Sequence, residues 1–114
     1  DGEQKRDFIY IKDVVKIISF FLENRTNGIF NVGTGKARTW NDLANAVFKA
    51  MDYPTRIEYI DMPESVRNQY QYFTEANITK LRNAGYTDEF TSLEDGIKDY
   101  IQNYLMKNNK HLAD

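Results

Sequence analysis

Between Val14 and Leu22 only Lys16 and Ser19 interrupt a run of Val, Ile, Phe and Leu. A helix there is apolar over most of its circumference, whereas a surface helix on a small domain shows one stripe. The pattern predicts a helix over 14–23 that needs neighbours on more than one side, with Asp13 as its cap. Ahead of it, the β-branched and aromatic residues 8–11 predict a short strand. Asn24 to Gly28 is a run of turn formers, and Ile29 to Val32 predicts the next strand. Thr39 and Asp42 have capping-box spacing. Behind them Trp40, Leu43, Ala44, Val47, Phe48 and Met51 recur at helical intervals, until Tyr53-Pro54 closes the helix.

Residues 56–60 alternate and predict a half-exposed strand, and Met62 to Gln71 reads as a polar connection. Thr74 is expected to cap a helix that stops near Gly85 in a left-handed turn. Thr91 or Ser92 caps the last helix, whose buried face holds Leu93, Ile97, Tyr100, Ile101, Tyr104 and Leu105. Residues 107–114 form a polar tail. Strands alternating with helices predict an α/β class, with a small mixed sheet and about four helices. So thin a sheet suits part of a larger fold. The start at Asp1, without methionine or a signal-peptide pattern, carries the same expectation of a piece cut from a longer protein.

Composition narrows the chemistry. With 114 residues, 41% hydrophobic and 14% aromatic, the chain suits one small globular domain. Its 15 basic residues are scattered among 17 acidic ones, for a net charge of −2. Nucleic acid and anionic membrane, which need a concentrated basic face, are not expected partners. No apolar run approaches the ~20 residues of a membrane span. There is no cysteine, and the one histidine, His111, lies in the tail. A disulfide framework, a zinc site and a Ser-His-Asp triad are excluded on those grounds.

Gly33-Thr34-Gly35-Lys36 marks a strand-to-helix turn whose amides could meet phosphate. It fails as a phosphate loop, because Phe30 stands where the first glycine belongs and Ala37 follows the lysine. It fails as a dinucleotide fingerprint for want of a third glycine. The simpler reading is a tight turn that brings strand and helix together. Arg6 is a sharper candidate, since a guanidinium fork can hold a diphosphate at two points. Its alternative is a surface arginine paired with Asp7 or another acid. Arg67 to Thr74, rich in amide and aromatic side chains, could line a sugar pocket, although Tyr72 or Phe73 could equally be core.

Arg6-Asp7-Phe8-Ile9-Tyr10-Ile11 followed by Phe30-Asn31-Val32-Gly33-Thr34-Gly35 resembles the extended short-chain dehydrogenase/reductase enzymes that epimerise or dehydrate nucleotide sugars. Arg67 to Thr74, Phe21 to Asn24, Gly28 to Asn31, Ile57 to Ile60 and Leu81 to Tyr86 resemble one branch, the ADP-L-glycero-D-manno-heptose 6-epimerases of lipopolysaccharide inner-core synthesis. The resemblance implies that residues 1–106 are the C-terminal, substrate-binding part of a Rossmann-like fold whose nucleotide-binding segment is absent. It implies that Arg6 contacts the nucleotide diphosphate and Tyr70 the substrate. It further implies a tightly bound NADP, or NAD, held mainly by the absent segment, which takes hydride from C6 of the heptose and returns it to the other face. A homo-oligomer and a cytoplasmic location are implied for the intact enzyme. None of the 8 tyrosines has lysine four residues later, so the Tyr-x-x-x-Lys pair is missing. No catalytic, cofactor-binding or metal-binding residue is therefore assigned here. Two alternatives remain: another sugar-nucleotide epimerase, dehydratase or reductase, and a non-catalytic interaction module that keeps only this fold.

Overall fold

The computed structural model describes residues 1–67 and 70–107. Asn68, Gln69 and the tail beyond Lys107, with His111, lie outside the described residues. Strand β1 (Lys5–Arg6) pairs antiparallel with β2 (Arg38–Thr39), Lys5 opposite Thr39 and Arg6 opposite Arg38. Its other edge carries a parallel bridge from Lys5 to Phe73. There the Lys5 amide donates to Tyr72 O at 2.8 Å, and the Thr74 amide donates to Lys5 O at 3.1 Å. The sheet is smaller than expected, an antiparallel pair with a single parallel bridge on its edge. The ladder lies at Lys5–Arg6 rather than over 8–11, and neither 29–32 nor 56–60 joins a strand. Propensity supplies an extended backbone, while a strand also needs a partner across which to bond.

Helix α1 (Ile11–Glu23) starts after Tyr10, whose side chain makes no capping bond. Asp13 is not the cap: it lies inside the first turn and is fully buried. Ile17 of α1, Leu81 and Tyr86 form the central cluster, with Ile9, Phe20, Phe21 and Phe90 against it. Phe20 meets Phe21 and Tyr86 edge-on, at centroid distances of 5.1 and 5.5 Å. The opposite face of α1 is unpacked: Ile11, Val15, Ile18 and Leu22 are all exposed. Its all-round apolar character thus resolves into one packed and one bare side.

Helix α2 (Trp40–Ala50) opens on the predicted capping box. Thr39 Oγ1 accepts from the Asp42 amide at 2.9 Å, and Asp42 Oδ2 accepts from the Thr39 amide at 3.1 Å. The helix stops before Tyr53-Pro54, because Asp52 is already left-handed at φ 57°. The expected polar connection contains one helical turn, α3 (Glu64–Arg67). Thr74 caps nothing, being engaged with β1, and α4 (Thr79–Asn83) begins after Ile78 instead. Gly85 does end that segment in the left-handed region, at φ 104°.

Helix α5 (Leu93–Tyr100) is capped by Ser92, whose Oγ accepts from the Asp95 amide at 3.1 Å. A π-helical turn, Ile101–Leu105, extends it. Ile101 is buried, whereas Leu105, expected on the same face, is exposed. Helix α5 packs on α2, and Gln102 Nε2 ties the pair by donating to Ala50 O at 2.8 Å. Among the described residues, no helix is long and apolar enough to cross a membrane.

Candidate functional site

Arg6 and Tyr70, far apart in sequence, meet in the structure. The Arg6 guanidinium carbon lies 5.1 Å from the Tyr70 ring centroid, within cation–π range. Arg6 Nη1 donates to Lys5 O at 2.7 Å, and Nη2 donates to Gln71 O. The Nε–H and the second hydrogen on each terminal nitrogen are not used by these two bonds. What brings the pair together is β1: its parallel bridge holds 72–74 alongside, and Tyr70 lies just ahead of that bridge. Beside Arg6 lies a cavity of about 350 Å³, lined by Asp7, Asn31, Val32, Thr74, Glu75 and Ala76. The most apolar cleft lies elsewhere, about 470 Å³ between residues 8–11 and α5, and contains neither Arg6 nor Tyr70.

Asp7 is not the partner of Arg6; no ion pair of Arg6 occurs among the described residues. Its carboxylate occupies the glycine turn instead. Oδ1 accepts from the Thr34 amide at 2.8 Å and the Thr34 hydroxyl at 2.5 Å. Oδ2 accepts from the Gly35 amide at 2.9 Å and the Ala76 amide at 3.1 Å. Burial by itself would raise the Asp7 pKa, but the Thr34 hydroxyl and the three amides outweigh it and hold the carboxyl below its usual range. Gly33 is required by this closeness: a Cβ there would lie 2.5 Å from Ala76 Cβ and 2.7 Å from Asp7 Oδ2. The turn therefore spends its amides on an internal carboxylate. Sequence reasoning weighed Asp7 only as a partner for Arg6.

Two further charged groups brace the scaffold. Arg38 holds Asp42 at 3.0 Å and Glu94 at 2.6 Å, joining β2 to the start of α5. At the other end of α5, Asp99 accepts from Lys12 Nζ at 2.7 Å and from the Tyr10 hydroxyl at 2.6 Å. Lys12, then Tyr10 and Asn103, hold the Asp99 carboxyl well below the usual range. Burial and the Asp99 hydrogen bond push Tyr10 up to about 12.

The NAD dependent epimerase/dehydratase family matches residues 1–33. An ADP-L-glycero-D-manno-heptose-6-epimerase of Nitratidesulfovibrio vulgaris strain Hildenborough is 58% identical over 113 residues, 98% of this chain and 35% of that protein. One from Fusobacterium nucleatum is 52% identical over 119 residues, 98% of this chain and 36% of that protein. The chain is similar to ADP-heptose 6-epimerases along nearly its whole length. It spans about a third of the length of these curated relatives.

Solved structures place the fold. Helicobacter pylori ADP-L-glycero-D-manno-heptose-6-epimerase superposes with a TM-score of 0.73 at 31% identity, over 90% of this chain and 30% of that one. UDP-N-acetylglucosamine 4-epimerase from Methanobrevibacter ruminantium gives 0.78 at 25% identity, over 94% of this chain and 33% of that one. The architecture, an α/β arrangement with a small sheet, is like part of these two epimerases.

Proposed function

We propose that residues 1–106 are the substrate-binding portion of an NADP-dependent epimerase that inverts C6 of ADP-D-glycero-D-manno-heptose to the L-glycero form. The product is a precursor of the lipopolysaccharide inner core. The observation that carries this reading is the 58% identity to a curated ADP-heptose 6-epimerase over 98% of the chain. Arg6 holds the diphosphate through the guanidinium hydrogens left over from its two backbone bonds. Tyr70 lies against that guanidinium and contacts the nucleotide-sugar. Neither is the acid or base, and no step of the chemistry is routed through a dinucleotide on these residues. The nicotinamide site, with its choice of NADP over NAD, belongs to a preceding Rossmann segment of the intact protein.

The bare face of α1 is the proposed seat of that segment. Ile11, Val15, Ile18 and Leu22, at 47%, 55%, 54% and 80% exposure, follow one another at helical spacing and form a continuous stripe. The intact enzyme is taken to be a cytoplasmic homo-oligomer, with the tail 107–114 outside the working domain.

The test is epimerisation of ADP-heptose by the intact polypeptide that carries this sequence, with the 114-residue piece as control. Turnover by the intact protein and none by the piece is expected; turnover by the piece alone refutes the division of labour. A second reading, another sugar-nucleotide epimerase, is favoured by the likeness to the UDP-N-acetylglucosamine 4-epimerase, at TM-score 0.78. Faster turnover of UDP-N-acetylglucosamine or UDP-glucose than of ADP-heptose would select it. Arg6→Ala is expected to weaken ADP binding about tenfold or more, as for loss of a charge-assisted contact. Equal titration curves remove Arg6 from the site.

A further inference from the structure

We propose that Asp7 is a positioning residue for the nucleotide diphosphate: its carboxylate clamps the 33–35 turn to Ala76 and so sets Arg6 against Tyr70. The inference rests on the proposed role of Arg6 and Tyr70 and adds the device that aligns them. Arg6 reaches Gln71 O, its neighbour Asp7 reaches Thr34, Gly35 and Ala76, and both line one cavity. The segment from Tyr70 to Ala76 is thus held at two levels. Lys5 fixes it at Tyr72 and Thr74 through backbone bonds, and Asp7 fixes it at Ala76.

The clamp works because the groove between turn and segment has no spare room. Gly33 is buried, and even a methyl group there would collide with both Ala76 and Asp7. Four donors converge on the two oxygens, across sequence separations of 27, 28 and 69 residues. A carboxylate accepts all four without presenting a hydrogen of its own. An amide would turn two hydrogens toward N–H donors. Because Asp7 is engaged by this turn, no acid among the described residues pairs with the Arg6 guanidinium, which is left to meet an anionic ligand.

The test uses the intact polypeptide. Asp7→Asn should raise KM for ADP-heptose roughly tenfold while kcat stays within about twofold. Thr34→Val, which removes the hydroxyl donor at 2.5 Å and with it the acceptor of the Lys36 amide at 3.1 Å, should raise KM a few-fold, and Thr34→Ser should restore it. ADP affinity, by calorimetry, should follow the same order. Unchanged KM in Asp7→Asn overturns the inference, as does a fall in kcat at constant KM. If thermal melting shows that Asp7→Asn does not fold, the Thr34 pair decides: no difference between Val and Ser overturns the proposal. If the unmutated protein ignores ADP-heptose, ADP affinity decides. A drop in Asp7→Asn keeps the clamp while removing the substrate reading, and equal affinity, or no ADP binding by either form, overturns the clamp too.

Discussion

Asp13→Ala is expected to destabilise the fold by about 3 kcal/mol, a sizeable share of the 5–15 kcal/mol typical of a whole domain. Asp13 is 0% exposed. Oδ2 accepts from the Thr91 amide at 2.7 Å and Oδ1 from the Thr91 hydroxyl at 3.0 Å. Lys16 Nζ, 3.7 Å from Oδ1, is itself exposed and adds little. A hydrogen bond to a charged group contributes about 1.5–3 kcal/mol, and two at the low end give about 3. The alanine also leaves a partly buried amide without a partner. Asp13→Asn keeps the shape: its carbonyl can face the amide and its Nδ2 the hydroxyl oxygen. Only the charge is lost, at about 1 kcal/mol. Thr91→Val removes the hydroxyl bond alone, again about 1 kcal/mol. Urea unfolding followed by circular dichroism measures all three. Asp13→Ala below about 1 kcal/mol, or Asn as costly as Ala, would refute the assignment of Asp13 as the tie between α1 and the segment leading into α5.

Gly33→Ala should cost about 1–3 kcal/mol by overpacking, because its Cβ would fall 2.5 Å from Ala76 Cβ. Ala76→Gly in the same chain should recover part of the loss, and a simple sum of the two single effects would count against the collision. The Tyr10–Lys12–Asp99 cluster gives a pH signature. Tyr10 is raised from 10.0 to about 12, so its share of stability is complete below pH 10 and is lost as pH climbs through 12. Asp99 is lowered from 3.8, so its share is present above that value and fades as pH falls below it. Urea midpoints against pH should therefore decline at both ends, with a shallower alkaline limb in Tyr10→Phe; an unaltered limb would exclude Tyr10 as its source.

Features settled within a few residues were legible in the sequence. The Thr39–Asp42 box, the Ser92 cap and the left-handed Gly85 all depend on neighbours in the chain and stand as expected. The excess of apolar residues on α1 correctly signalled a face that this chain does not cover. What was hidden depended on distant partners. Residues 8–11 and 29–32 have strand composition, but pairing is decided by what lies alongside, and Lys5–Arg6 found both Arg38–Thr39 and Phe73. Asp13 had the position of a cap and became a cross-link to Thr91. Arg6 and Tyr70 were each singled out from resemblance, while their mutual contact follows from β1 and could not be read from either segment alone. Asp7 was weighed only as a partner for its neighbour Arg6, because nothing local announces bonds to Thr34 and Ala76.

The ties of the stretch from Lys5 to Asp13 all point forward along the chain: to Thr34, Thr39, Phe73, Ala76, Thr91 and Asp99. A ribosome delivers that stretch first and its partners last. The Asp13–Thr91 tie alone spans 78 residues, which at roughly 5–20 residues per second means several seconds of synthesis. A helix forms within about a microsecond, so α1 coils long before Leu81, Tyr86 and Phe90, on which its core side packs, have been made. Through that interval Ile17, Phe20 and Phe21, later part of the core, stay in water. The nascent protein thus leaves the core side of α1 bare, a surface that holdase chaperones bind, until the arrival of Leu81, Tyr86 and Phe90 lets it close.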